Sequence, residues 1–276
     1  MPHSTVEHNT TIDGQRVDVA SLETIDFARL TTKEPAEVEK LLRASQMPGF
    51  FYLDLQNEPA KDILTDLRNV YAVTEKYFDE PSGTETKGST SGQVSSYKPG
   101  EKGGTFEFTR EKMIEGKLVL PPTLKSHAVL LDRFASLCYS VNKTMLSCLS
   151  DALKLDEASR FENHHRDDQP SDSALNIYSA PARGKRIDVP DNTHTDSGSL
   201  TLFFGDEWGI EMEHPETKDW AFIEPRPGCG LVNLGDFLQS VSGNKLHSCR
   251  HRIAQPVDGF QKRYYAVSYL RPQKTM

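Results

Sequence analysis

The sequence of 276 residues has no long apolar run and no paired cysteine motif. No stretch approaches the roughly 20 consecutive apolar residues that a membrane-spanning helix needs. The polar segment from residue 1 to residue 14 has no apolar signal core. The four cysteines include no Cys-x-x-Cys pair, which indicates reduced thiols rather than a disulfide framework. We therefore expect a cytoplasmic protein that is neither secreted nor inserted in a membrane.

The chain also lacks any block of positive charge. Its net charge is −8, and acidic and basic residues are interleaved along the sequence. This distribution argues against a nucleic-acid groove as the main surface. At 36% hydrophobic and 26% charged residues, the composition is typical of a globular protein. The length suits one large domain or two small ones, and we expect a monomer or a homodimer that binds a small molecule.

Helical patterns dominate the first half of the sequence. After a polar tail over residues 1–15, apolar residues recur at helical spacing over about 35–47, 59–78 and 122–153. The aromatic run Phe50–Leu55 predicts a strand. The segment 80–104 is rich in Gly, Ser, Thr and Lys, and loops of this length in compact domains are functional or mobile. We therefore predict a substrate loop over residues 80–110.

The second half of the sequence is typical of β-structure. Short apolar runs alternate with turn signals, and their spacing predicts a jelly roll. The fold class is therefore α+β: a helical N-terminal region over residues 1–173 packs on a double-stranded β-helix over 174–276. The predicted strands are Ala174–Ser179, Arg186–Val189, Ser199–Phe204, Gly209–Met212, Trp220–Glu224, Gly230–Leu234, Cys249–Ala254 and Arg263–Leu270.

A candidate metal motif precedes one of these strands. His194 and Asp196 are two residues apart, so in an extended chain both side chains point to the same face. A third ligand from a later segment, His251 or the neighbouring His247, would complete a set of two histidines and one carboxylate. That set is typical of non-haem Fe(II) oxygenases, because it leaves other positions on the metal open. We interpret Cys249 as a packing residue rather than a ligand.

These motifs together resemble a known family. His194-Thr195-Asp196, Gly235–Gln239, Ser248–Ile253 and Arg263 are similar to the motifs of Fe(II)/2-oxoglutarate dioxygenases of the isopenicillin N synthase-like group. The likeness is strong over residues 174–272 and weaker before them, where the Asn-His-Gly that usually follows the Gly-Phe-Phe strand is missing. The family has its ligand in a His-Arg-hydrophobic triplet, so the resemblance implies His251 rather than His247 as the third ligand.

The resemblance also implies a co-substrate site. Arg263 stands where the family has an arginine that binds the far carboxylate of 2-oxoglutarate, and a guanidinium suits that role because it is permanently charged and two-pronged. Asn176 and Tyr178 match the family's Asn-x-Tyr, whose polar tips touch the co-substrate. The family's Arg-x-Ser is Arg263-Tyr264-Tyr265 here, so the phenol of Tyr265 replaces a serine hydroxyl.

The function that follows is oxidation of a C–H bond of a small molecule by Fe(II), 2-oxoglutarate and O2. Hydroxylation, desaturation and oxidative cyclisation are all open to such a site, and we expect a role in secondary metabolism. One alternative is a 2-oxoglutarate-independent oxidase of the isopenicillin N synthase type, and another is a non-catalytic jelly-roll binding protein. The candidates for the substrate wall are the aromatic residues Tyr97, Phe106, Phe108, Trp208 and Phe237.

Overall fold

The structure, a computed structural model, describes residues 6–12, 14–79, 97–100, 103–167, 169–180, 192–253 and 263–274. The α-helices in these ranges are α1 (Phe27–Thr31), α2 (Pro35–Gln46), α3 (Lys61–Asp79), α4 (Arg110–Ile114), α5 (Pro122–Lys125), α6 (Ala128–Ala152) and α7 (Asp236–Val241), with short 3-10 turns at Glu157–Ser159 and Phe161–His164. The strands are β1 (Val6–Ile12), β2 (Gln15–Ala20), β3 (Thr24–Asp26), β4 (Phe50–Asp54), β5 (Tyr97–Gly100), β6 (Gly103–Thr109), β7 (Ala174–Ala180), β8 (Leu200–Phe204), β9 (Ile210–Glu213), β10 (Trp220–Phe222), β11 (Cys229–Leu234), β12 (His251–Ile253) and β13 (Arg263–Leu270).

The larger of two sheets has the strand order β3-β4-β11-β8-β13-β7-β6-β5. Its two faces have different partners, because successive side chains of a strand point to opposite sides. On β8, Leu200, Leu202 and Phe204 pack in the core beneath the helices. Thr201 and Phe203 therefore point away from the helices, and Phe203 packs against the second apolar core.

The smaller sheet has the order β1-β2-β10-β9-β12. It lies against the face of the larger sheet that is turned away from the helices, and the two sheets enclose a compact apolar core. This arrangement is the jelly roll that the strand pattern predicts. The enclosed core consists of Ala20, Leu22, Phe50, Tyr52, Ile210, Met212, Ile223, Leu231 and Cys249.

The helices cover the outer face of the larger sheet. The amphipathic helices α3 and α6 bury one stripe each, with Val70 and Tyr77 on α3 and Phe134 and Met145 on α6. Phe134 reaches the sheet, where its ring lies 5.7 Å from that of Phe204. The helix-side core contains most of the buried apolar side chains among the described residues, and burial of apolar surface stabilises the fold.

The structure differs from the sequence prediction in three local features. Val6–Ile12, predicted as part of a frayed tail, pairs with Gln15–Ala20 as a hairpin. The helix predicted over 122–153 breaks before residue 128, where the side chains of Ser126 and His127 both hydrogen-bond to the Thr123 carbonyl and compete with the helical ladder. The end of the predicted loop 80–110 is instead the hairpin of β5 and β6, joined to β7.

Both sheets include strands from each half of the chain. β3 to β6 extend the larger sheet and β1 and β2 extend the smaller one, so residues before 174 complete the jelly roll. The division into 1–173 and 174–276 stays a prediction. The segment 80–96 and the predicted strand Arg186–Val189 lie outside the described residues.

Candidate metal centre

The three predicted metal ligands come together at one edge of the jelly roll. His194 and Asp196 lie on the turn that leads into β8, and His251 is the first residue of β12. One ligand atom from each of the three side chains lies within 4.8 Å of the other two. The backbone of His194 is bridged to His251 of the smaller sheet. The side chain of Asp196 is hydrogen-bonded to Thr201 and Asn233 of the larger sheet. The site therefore exists only when the sheets are packed together.

Backbone carbonyls fix the orientation of both imidazoles. His194 Nδ1 lies 2.7 Å from the Asn192 carbonyl, and His251 Nδ1 lies 3.1 Å from the Cys249 carbonyl. Because a carbonyl only accepts, Nδ1 is the protonated nitrogen in each ring, and Nε2 keeps its lone pair for a metal. The Nε2 atoms of His194 and His251 lie 3.7 and 3.9 Å from Asp196 Oδ1.

Burial has a further effect on His251. Removal from water lowers the pKa of its imidazole, although the nearby Asp196 carboxylate acts in the opposite direction. The Phe50 ring and the imidazole also pack in a T-shaped arrangement, with ring centroids 5.4 Å apart. His251 is therefore held as a neutral imidazole, which is the form that binds a metal.

The two oxygens of the Asp196 carboxylate have different partners. Its Oδ2 accepts hydrogen bonds from Thr201 Oγ1 at 2.5 Å and from Asn233 Nδ2 at 2.8 Å. These donors belong to the neighbouring strands β8 and β11, so the larger sheet determines the orientation of the carboxyl group. Oδ1, which faces both imidazoles, remains available as the metal ligand. Outer partners of this kind orient a ligand and tune the metal it binds.

Residues 235–237 hold the metal turn, the segment 194–199 that carries His194 and Asp196, in place through backbone hydrogen bonds. The backbone N–H groups of Gly235, Asp236 and Phe237 donate to the carbonyls of Ser199, Asp196 and Gly198, respectively. A Cβ atom on Gly235 would lie 2.2 Å from the Gly198 oxygen and 2.7 Å from the Asp196 oxygen. This close approach is the reason that position 235 is a glycine.

The donor set fits a non-haem Fe(II) ion. Two imidazole nitrogens and one carboxylate oxygen lie on the same side of the site, which leaves the other side for further ligands. The side chain of His194 is 46% exposed, whereas those of Asp196 and His251 are 15% and 8% exposed. The site is therefore open on the His194 side.

The predicted co-substrate residues Asn176 and Tyr178 lie on the face of β7 that points between the sheets, because Leu175 and Ile177 belong to the helix-side core. Asn176 Nδ2 donates to the Tyr178 hydroxyl at 3.1 Å. Asn176 Oδ1 is buried and has no hydrogen-bond partner among the described residues. Burial raises the pKa of the Tyr178 phenol, although its hydrogen bonds with Tyr269 and Asn176 act in the opposite direction.

Tyr269 is a polar residue of this face that the sequence motifs do not reveal. Its hydroxyl lies 3.0 Å from that of Tyr178. The alternation of side chains along β13 could have indicated its position. Ala266 and Leu270 lie in the helix-side core, so Tyr265 and Tyr269 point to the opposite face.

The remaining predicted co-substrate residues lie at the start of β13. Arg263 pairs in register with Ala180, and its side chain lies outside the described part of the structure. Tyr265 pairs with Tyr178, and its ring packs 5.5 Å from that of Phe203.

Phe106 and Phe108, two of the residues predicted for the substrate wall, do not lie on the face of β6 that is turned to the metal. Both rings are buried in the core beneath the helices, and their centroids lie 4.8 Å apart. The alternation of β6 turns them away from the metal and turns Glu107, which pairs with Asn176, towards the inner face. The other three candidates have different surroundings. Trp208 packs against Phe222, Phe237 packs against His164, and the side chain of Tyr97 lies outside the described residues.

The jelly roll and its two-histidine, one-carboxylate site define a non-haem Fe(II) oxygenase. The 2OG-Fe(II) oxygenase superfamily matches residues 170–272 of this chain. A 2-oxoglutarate-dependent dioxygenase of Gibberella zeae is 34% identical over 270 residues, which cover 92% of this chain and 80% of the relative. A second such dioxygenase, from a Dothideomycetidae species, is 30% identical over 94% of this chain and 84% of its own length.

Solved structures show the same fold. A Neurospora crassa protein crystallised with 2-oxoglutarate and thymine has a TM-score of 0.72 and 20% identity, covering 95% of this chain and 88% of that one. The dioxygenase for auxin oxidation 1 of Arabidopsis thaliana, crystallised with 2-oxoglutarate, has a TM-score of 0.71 and 19% identity, covering 92% and 94%.

The chain therefore belongs to the 2OG-Fe(II) oxygenase superfamily, and it is a 2-oxoglutarate-dependent dioxygenase. His194, Asp196 and His251 are its iron ligands. This assignment favours the 2-oxoglutarate-dependent interpretation over the independent oxidase and the non-catalytic binding protein. None of the helices in the described part of the chain combines the length and the apolar character needed to cross a membrane.

Proposed function

We propose that this dioxygenase oxidises a C–H bond of a small molecule of secondary metabolism, by hydroxylation, desaturation or ring closure. Iron in such a site supplies O2 activation coupled to decarboxylation of 2-oxoglutarate to succinate. The protein binds the co-substrate and holds one C–H bond of the substrate nearest the metal, because position decides which bond reacts. The proposal places this reaction in the cytoplasm, in a monomer or a homodimer.

The fold relatives support a small-molecule substrate. The Neurospora crassa protein was crystallised with thymine, and the Arabidopsis thaliana protein is a dioxygenase for auxin oxidation. In the present protein the open side of the metal site lies next to His194, where a compact organic molecule could approach. Trp208, Phe237 and Tyr97 stay predictions for the substrate wall.

We assign the co-substrate site to the inner face of β7 and β13. The observation that carries this assignment is the pair of Asn176 and Tyr178, which points between the sheets. The amide oxygen of Asn176 is buried and has no hydrogen-bond partner among the described residues. The interior is poorly solvated, so the far carboxylate of 2-oxoglutarate needs a cation there. Arg263 provides it at the start of β13, and the register pairs Tyr265 with Tyr178.

The role of Arg263 can be tested by titration. Loss of a buried ionic partner costs on the order of 3–5 kcal/mol, which is roughly two to four decades in affinity. Arg263→Ala should therefore raise the Kd for 2-oxoglutarate at least about a hundredfold. Arg263→Lys should restore part of the affinity, since lysine keeps the positive charge but cannot form the two parallel hydrogen bonds of a guanidinium. The visible band of the anaerobic Fe(II)–2-oxoglutarate chelate reports the titration.

Fe(II) affinity is the internal control, and it should be unchanged in both variants because Arg263 is not a metal ligand. An unchanged 2-oxoglutarate titration for Arg263→Ala would exclude Arg263 from the co-substrate site. Tyr265→Ser, which restores the family pattern, should leave 2-oxoglutarate binding intact or make it tighter. A loss of binding in Tyr265→Ser would show that the phenol has a role the serine cannot fill.

The substrate class can be tested in cells. Extracts of cells that carry the active protein should contain a small metabolite that is missing when Asp196→Ala replaces it. The missing compound should differ from an accumulating one by a single oxygen atom or by a pair of hydrogen atoms. His247→Ala serves as the active control variant. Identical small-molecule profiles for the active protein and Asp196→Ala would contradict the proposal.

A further inference from the structure

Tyr269 lies at the junction between the metal ligands and the co-substrate face. Asn233, Thr201 and Tyr269 occupy directly opposed positions on β11, β8 and β13. The first two donate to Asp196 Oδ2, and the third reaches the Tyr178 hydroxyl on β7. One row of side chains across the larger sheet therefore connects the partners of the metal ligand with Tyr178.

The Tyr269 ring is fixed from its other side. The guanidinium of Arg271 lies 4.8 Å from the ring centroid, which is a cation–π distance. Arg271 is itself anchored, because its Nη1 donates to the Asp172 carbonyl at 2.7 Å and its backbone N–H donates to Ser173 Oγ at 2.9 Å. The Tyr269 hydroxyl is thus presented to Tyr178 from a ring with little freedom to move.

The hydroxyl of Tyr178 has one proton and two lone pairs. Asn176 Nδ2 donates to one lone pair at 3.1 Å, and the Tyr269 hydroxyl lies 3.0 Å away. If Tyr269 donates to the second lone pair, both acceptor positions of the Tyr178 hydroxyl are occupied. Tyr178 can then form a further hydrogen bond only by donating its own proton. That proton can then be given to an acceptor outside the pair, such as a carboxylate oxygen. Burial raises the pKa of both phenols, so both keep their protons at neutral pH.

We propose that Tyr269 is a positioning residue for the co-substrate: its hydroxyl donates to Tyr178 and so directs the Tyr178 proton at an oxygen of 2-oxoglutarate. The inference rests on the proposed role of Tyr178 in binding 2-oxoglutarate. Tyr269 does not itself touch the co-substrate, and it acts only through the orientation of Tyr178.

The test is a double-mutant cycle on 2-oxoglutarate binding. Tyr269→Phe keeps the ring and its contact with Arg271 and removes only the hydroxyl. It should raise the Kd for 2-oxoglutarate by about five- to tenfold, the usual effect of losing one such hydrogen bond. Tyr178→Phe should raise it by at least as much. The double variant should match Tyr178→Phe, because Tyr269 has nothing left to orient.

Two readouts separate positioning from a structural role. The anaerobic visible band gives the Kd for 2-oxoglutarate, and a separate Fe(II) titration should show unchanged metal affinity in Tyr269→Phe. In turnover, the KM for 2-oxoglutarate should rise more than kcat falls. Tyr264→Phe is the matched control, since Tyr264 is on the opposite face of β13 and its hydroxyl donates to Asp79 at 3.1 Å. It should bind 2-oxoglutarate as the unaltered protein does.

Each other outcome overturns the inference in a distinguishable way. If Tyr178→Phe weakens 2-oxoglutarate binding and Tyr269→Phe does not, the inference fails and the proposed role of Tyr178 stands. If the two effects are additive, Tyr269 acts independently of Tyr178 and is not its positioning residue. If Tyr178→Phe has no effect, the proposed role of Tyr178 fails, and the inference fails with it.

Discussion

His194 and His251 form an isolated antiparallel bridge, in which the N–H of each donates to the carbonyl of the other at 3.0 and 2.9 Å. Two iron ligands that are distant in the sequence are therefore joined by a reciprocal pair of backbone hydrogen bonds. Their ring centroids lie 4.3 Å apart. The separation of the imidazoles is thus set by the main chain, and the metal site is preorganised by the packing of the two sheets.

Replacing any iron ligand by alanine should abolish activity. Each of His194→Ala, Asp196→Ala and His251→Ala removes one of three anchors, so Fe(II) affinity should fall by more than about a hundredfold, beyond the usual effect of losing an outer partner. Anaerobic Fe(II) titration measures the loss. His247→Ala is the control, since the ligand group does not include His247. Retained iron in His251→Ala together with lost iron in His247→Ala would reverse the choice of third ligand.

The side chains that donate hydrogen bonds to Asp196 should affect Fe(II) affinity although they do not contact the metal. Thr201→Val removes the hydrogen bond to Oδ2 at nearly constant volume, and Asn233→Leu removes the other. Each should lower Fe(II) affinity by about 10- to 100-fold. Thr201→Ser keeps the hydroxyl and should bind iron nearly as the unaltered protein does. Equal iron affinity in Thr201→Val and Thr201→Ser would show that this hydrogen bond does not orient the carboxylate.

Adding a single methyl group behind the metal turn should disturb both stability and metal binding. In Gly235→Ala the new Cβ meets the carbonyl oxygens of Gly198 and Asp196, which are backbone atoms and cannot move aside cheaply. Overpacking of this kind costs about 1–3 kcal/mol. Thermal unfolding and Fe(II) titration should both detect the change. The control is Ser197→Ala, an exposed position of the same turn, and a similar loss there would argue against the steric explanation.

Stability should decrease in mild acid because of His165. Its imidazole is buried between Ser199 Oγ and the Arg271 carbonyl, and burial lowers its pKa from 6.5 to about 4. The unfolded chain therefore takes up a proton below about pH 6.5 that the folded protein takes up only near pH 4. Folding free energy is lost as the pH falls through that window, by up to about 3 kcal/mol at 1.36 kcal/mol per pKa unit.

Denaturant unfolding as a function of pH measures this dependence. His165→Gln has no titrating group at the site, so its stability should fall less steeply between pH 6.5 and pH 4, even if it starts lower because of lost packing. The same slope in both proteins would mean that another group controls the acid response.

The sequence was sufficient for the parts of the protein that depend on local order. The short apolar runs between turn signals over residues 174–270 and the helical spacing before them predicted most of the strands and helices. The His-x-Asp pair was also readable, since both side chains emerge on one face of a short extended segment. The resemblance to a family then selected His251 from two nearby histidines.

Only the tertiary structure decided which face of each strand points inward and which distant residues meet. Phe106 and Phe108 have the composition of a pocket wall, but the pairing of β6 with β7 turns both rings into the helix-side core. Tyr269 carries no motif. The register of β13 pairs it with Ala174 of β7 and Thr201 of β8, and its long side chain reaches along β7 to the Tyr178 hydroxyl. A register shift of one residue would exchange the two faces of a strand. Register is set by the packing of the whole sheet, and for this reason the local sequence could not determine it.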